Sequence, residues 1–122
     1  MKGGVVMKYV LPGDVLSPAK FWKLHRVVYD AGAGLPAFAC GTWEGEEVVA
    51  MRWNGGRTGP KGSPVSSGFP TWIMLPRGFG ITILNRIRNH PPASDLRLDR
   101  DFAGQFADRL AQLGPFKGEK YR

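Results

Sequence analysis

Ala37-Phe38-Ala39-Cys40-Gly41-Thr42-Trp43-Glu44-Gly45-Glu46-Glu47-Val48-Val49-Ala50-Met51-Arg52-Trp53 decides the fold. Two arms rich in β-branched, aromatic and small residues flank Glu44-Gly45. A two-residue connection with glycine second between such arms marks the most secure hairpin in the chain, because the favoured hairpin turns need positive φ at their centre. Ala37 to Trp43 is therefore read as one strand and Glu46 to Asn54 as its partner. Side chains alternate along a strand, so this pairing puts Phe38 and Cys40 on one face with Val49, Met51 and Trp53. Ala39, Gly41 and Ala50 fall on the other face with Arg52 and Asn54. The bulky face is the core. The small face invites something close: a packed helix, or a ligand or partner lying over Arg52.

Upstream of the hairpin, Val5 to Leu11 is a short β-type run closed by Pro12-Gly13. Ser17-Pro18 reads as a helix cap and first position, with a turn over Ala19 to Trp22. Lys23 to Tyr29 reads as a strand, although Phe21, His25 and Val28 also fit a helical face. Asp30 to Gly34 is then the loop into the hairpin. Downstream, five glycines and three prolines lie between Asn54 and Thr71, so no regular element is expected there. Thr71 to Leu75 reads as a further strand. Its nearly continuous apolar character suggests a central, two-sided position. The period then changes. Ile81, Leu84, Ile87 and Arg88 recur at helical spacing within Phe79 to Asn89, ended by His90-Pro91-Pro92. Asp99 caps a second helix, striped by Phe102, Phe106, Leu110 and Leu113 and stopped by Gly114-Pro115. The sum is α+β: an antiparallel meander of about four strands with two C-terminal helices on one face.

The chain has 122 residues, enough for one domain over 1–122 with a core of its own. Hydrophobic residues make up 43% and charged residues 22%, which is a globular balance. No apolar run approaches the roughly 20 residues of a spanning helix. No charged-then-apolar leader opens the chain. Met7-Lys8 echoes Met1-Lys2, which marks residues 1–6 as a dispensable, disordered leader; residues 116–122 read as a frayed basic tail. The single cysteine, Cys40, excludes an internal disulfide and a cysteine-rich zinc site. A cytoplasmic protein without cofactor is the expectation.

The formal net charge is +7, and its placement matters more than its size. No acidic residue occurs from Val48 to Ser94, a span that carries Arg52, Arg57, Lys61, Arg77, Arg86 and Arg88. Such one-sided charge points to an anionic partner, nucleic acid first or an acidic protein surface. Alternatively, acids on the terminal segments fold back to neutralise it. Gly55-Gly56-Arg57-Thr58-Gly59-Pro60-Lys61-Gly62-Ser63 has the composition of a phosphate loop but not its pattern. Lys61 follows Pro60, which has no N–H, Gly62 separates it from Ser63, and no helix follows. What survives is a looser arrangement, in which flexible glycines let Arg57 and Lys61 meet a nucleic-acid backbone. Trp53 and Trp72 are expected in the core, anchoring the loop ends. Phe69, between Gly68 and Pro70, is the exposed aromatic on which a base could stack.

Catalytic groups are sparse. Cys40 sits in a buried strand, where a thiol is inert. Ser66 and Ser67 lack the glycine-flanked nucleophile turn. His25 and His90 have no local carboxylate, and two histidines do not make a metal site. The carboxylates Asp14, Asp30, Glu44, Glu46 and Glu47 are scattered, the last three at a turn tip.

Arg52-Trp53-Asn54-Gly55, Gly62-Ser63-Pro64, Ser66-Ser67-Gly68, Pro70-Thr71-Trp72 and Leu75-Pro76 together resemble a signature of small bacterial proteins, some carried on mobile gene cassettes. The resemblance spans about Trp22 to Pro76. It implies an accessory or adaptive role and no particular activity. The expectation is thus a non-enzymatic binding protein, with Arg52, Asn54, Arg57, Lys61, Arg77, Arg86, Arg88 and Phe69 as the anion-binding set. A protein-interaction or regulatory module is the second reading. A small-molecule pocket or minor enzyme over the Ala39/Gly41/Ala50 face is the third.

Overall fold

The structure is a computed structural model that describes residues 8–57 and 59–114. The leader at 1–6, the basic tail at 116–122 and residues 5–7 of the Val5–Leu11 run lie outside the described residues. Lys8 to Leu11 form no strand; the Val10 N–H donates to Pro60 O at 2.9 Å, and a short 3-10 turn follows at Pro12–Asp14. Ser17-Pro18 opens a single turn and not a helix. The N–H groups of Phe21 and Trp22 both donate to Pro18 O, and the strand begins at once.

Strands β1 (Trp22–Asp30), β2 (Pro36–Trp43) and β3 (Glu46–Trp53) form the antiparallel meander expected. Glu44 and Gly45 have φ of 50° and 84°, the two positive values that a tight hairpin turn requires. Phe38 pairs with Met51, Cys40 with Val49 and Ala39 with Ala50, so the faces divide as alternation predicts.

Two short strands, β4 (Val65–Ser66) and β5 (Phe69–Pro70), pair within the long loop, where no regular element was expected. Ser67 and Gly68 at their turn have φ of 50° and 83°, repeating the chemistry of Glu44-Gly45. Strand β6 (Ile73–Leu75) pairs with β3, and β7 (Arg97–Leu98) pairs with β1. Among the described residues the main sheet thus has five strands in the order β6-β3-β2-β1-β7. This places β6 at an edge, not at the centre. Its apolar run reflects cover on both faces: Leu75 packs with the helices and Met74 with the opposite layer.

Helix α1 (Arg77–Arg88) and helix α2 (Arg100–Leu113) both lie on the bulky face. Their Leu84, Ile87, Ala103, Phe106, Ala107 and Leu110 close over Val28, Cys40 and Val49. Asp99 accepts from the Phe102 N–H at 3.1 Å, the cap its position predicts. Gly80 lets α1 approach β3, since a Cβ there would lie 2.8 Å from Val49.

The small face is covered by neither a helix nor open solvent. Val15, Trp22 and Trp72 pack on Ala37, Ala39, Val48 and Ala50. The Trp22 and Trp72 rings stand 6.1 Å apart, and the Trp72 indole N–H donates to Val15 O at 2.8 Å. Small side chains are needed here because tryptophan rings fill the layer. The chain's own N-terminal segment and loop supply that cover.

Candidate functional site

The long loop is a built shelf. Trp53 and Ser63 exchange backbone hydrogen bonds, as do Gly56 and Gly59 around the tip that carries Arg57. Asn54 N–H donates to Leu35 O, and Gly34 N–H donates to Gly55 O, which ties the shelf to the β1–β2 connection. Glycine is required at two of these positions. A Cβ on Gly55 would lie 2.2 Å from Pro60 O, and one on Gly62 would lie 2.0 Å from Trp53 O.

Arg52 explains how the shelf is held. Its side chain is 0% exposed, and its guanidinium donates to Thr71 O and Lys61 O. One planar fork thereby joins the middle of the loop to its end. Burial lowers the Arg52 pKa. Asn54 is also internal. It donates to Asp30 Oδ1 at 2.8 Å and to Gly32 O at 3.0 Å. Asp30 is the hub of this end of the sheet, since it also accepts from Gly32 N–H and the Tyr9 hydroxyl. The sequence marks Asp30 only as a turn residue; its burial depends on Asn54 arriving from 24 positions away.

Arg77 is 4% exposed and donates to Gly114 O at 2.6 Å and Glu47 O at 3.0 Å. It closes the C-terminus of α2 against the start of β3. Glu47 and Arg52 are five residues apart on that strand, about 17 Å at ~3.4 Å per residue, so Arg77 and Arg52 do not converge. Arg88 donates to Gly104 O at 2.6 Å and pairs with Asp108 at 2.9 Å. For Arg88, acids from the C-terminal segment do fold back. Arg86 stands on the exposed side of α1.

Arg57 and Lys61 remain. Both are exposed, and among the described residues neither has an ion-pair partner. They border one open cleft of about 760 Å³ together with Trp53, Asn54 and the loop glycines. Among the described residues, no carboxylate lines this cleft. Trp53 is 45% exposed, not buried in the core as expected. Its face parity is as predicted, but it ends β3 beyond the helix-covered Val49 and Cys40. Trp72 is buried as expected. Phe69 is 61% exposed and borders a different, aromatic groove.

The chain matches no family model, no curated protein and no solved structure. No helix among the described residues is long and apolar enough to cross a membrane. No group of three metal-binding side chains occurs among the described residues. His25 packs against Phe106 and His90 against Tyr29, so the two imidazoles face separate aromatic neighbours.

Burial pushes the Cys40 thiol well above its ordinary value of 9.0. The folded protein therefore keeps this proton while the unfolded chain loses it. Stability should fall by about 1 kcal/mol between pH ~9 and ~10 from this group alone, the slope steepening toward ~1.4 kcal/mol per pH unit above that. Denaturant titrations of the wild type and Cys40→Ala check this, and the variant should lose that slope.

Proposed function

We propose that the protein is a non-enzymatic binding protein that holds an anionic polymer, nucleic acid first, in the loop cleft. The observation that carries this reading is the joint placement of Arg57, Lys61 and half-exposed Trp53 around one carboxylate-free cleft. Arg57 and Lys61 contact phosphate oxygens. The glycines between them let a nucleic-acid backbone approach the chain closely, and Trp53 offers a ring at the cleft edge. The shelf is preorganised, so little ordering cost accompanies binding. Arg52, Asn54 and Arg77 serve the frame and not the ligand. Arg86 adds to the surrounding positive field.

Contacts of this kind position a strand without reading its sequence. Fluorescence anisotropy of mixed-sequence DNA and RNA, titrated across salt, tests the reading. Affinity should fall linearly on a log–log plot, with roughly 0.7 of slope per phosphate contacted on a single strand. Absence of binding at low salt would reject it.

A further inference from the structure

A second concavity of about 520 Å³ adjoins the loop on its other half. Trp43, Phe69 and Trp72 line it, with the hydroxyl-bearing Ser66, Ser67 and Thr71 among its other walls. Among the described residues, no charged side chain lines it. Trp72 is held by its bond to Val15 O, and Trp43 by the Phe21 ring at 5.5 Å. Phe69, on the β4–β5 turn, is the exposed member.

We infer that this groove receives an unpaired base of a single-stranded nucleic acid whose phosphates lie in the Arg57/Lys61 cleft. The inference rests on the phosphate-binding reading and adds strand type to it. Three features select this occupant. Flat aromatic walls without charge suit a neutral planar ring, and every base presents a π-face. Hydroxyl groups can donate to or accept from a base edge. Continuity supplies the third. Ser63 lines the cleft and Ser66 lines the groove. They are three residues apart, hence at most about 11 Å. Trp53 of the cleft and Trp43 of the groove lie at opposite ends of the β2–β3 hairpin, about 24 Å apart at ~3.4 Å per residue. A strand seated on the cations thus reaches the aromatics by running several nucleotides along the loop, whereas a duplex keeps its bases paired and stacked inside.

The test uses the full chain at low salt, with labelled oligothymidylate and oligouridylate, an abasic strand of equal length and a mixed-sequence duplex. The base-bearing strands should bind roughly tenfold tighter than the abasic strand and the duplex. Phe69→Ala should remove most of that preference and leave duplex affinity and the thermal midpoint unchanged. Its ring is largely in solvent, so the fold does not depend on it. Equal binding of all four probes, unaffected by Phe69→Ala, would overturn the base-groove inference and leave the phosphate reading standing. Failure of every probe to bind would defeat both. Base preference that survives Phe69→Ala would place the stacking elsewhere and also overturn the groove.

Discussion

Replacing Arg52 with methionine is expected to lower stability by about 2–4 kcal/mol and to open the loop to proteases. The guanidinium is fully buried, and its two donors hold Lys61 O and Thr71 O. Methionine fills much of the same space but leaves both carbonyls without that donor, and an orphaned buried carbonyl costs about 1–3 kcal/mol. Relief of the buried charge offsets part of this, which keeps the figure below the sum of two full penalties. Arg52→Lys should recover only part of the loss, since an ammonium cannot present two parallel in-plane donors. Denaturant melts give the global term. Limited proteolysis within residues 54–71 gives the local one. A variant as stable and as resistant as wild type would show that the shelf does not depend on this fork.

Gly41→Ala should cost about 3 kcal/mol, or roughly 10 °C of thermal midpoint. A Cβ at Gly41 would stand 2.3 Å from Lys23 O and 2.6 Å from the Trp22 ring. Backbone and a buried indole must both give way. The strain reaches the site, because Trp22 supports Trp72 and Trp72 lies at the end of the loop. Gly13→Ala is the control. Nothing lies within 4 Å of a Cβ there, so its effect should stay within about 0.5 kcal/mol.

These two residues also show what was legible in the sequence. The central hairpin was readable because turn chemistry and alternation agree, and its register follows from them. The capped second helix was readable for the same reason. The β4–β5 hairpin carries a Ser67-Gly68 turn signal like that of Glu44-Gly45, but surrounding prolines and glycines mask it. The tryptophan layer over the small face was not readable. Alternation reveals that Gly41 needs a close neighbour without saying that the neighbour is Trp22, 19 positions away in the chain.

The cations divide along the same line. An arginine in an acid-free span reads as a ligand for an external anion. Burial of Arg52 and Arg77 depends on carbonyls of Lys61, Thr71, Glu47 and Gly114, which have no sequence signature. Of the six cations in the expected anion-binding set, only Arg57 and Lys61 line the loop cleft. The region keeps its positive field with fewer available charges than composition suggests. The long loop, which composition alone reads as pliable, is a hydrogen-bonded platform for those that remain.

Salt dependence of oligonucleotide binding by the Arg57→Gln/Lys61→Gln double variant tests the cleft most directly. Both side chains are exposed, so the denaturation midpoint should match wild type. If they are the phosphate contacts, the magnitude of the log–log salt slope for a single strand should drop by about 1.4. A slope unchanged from wild type would contradict the cleft as the binding site.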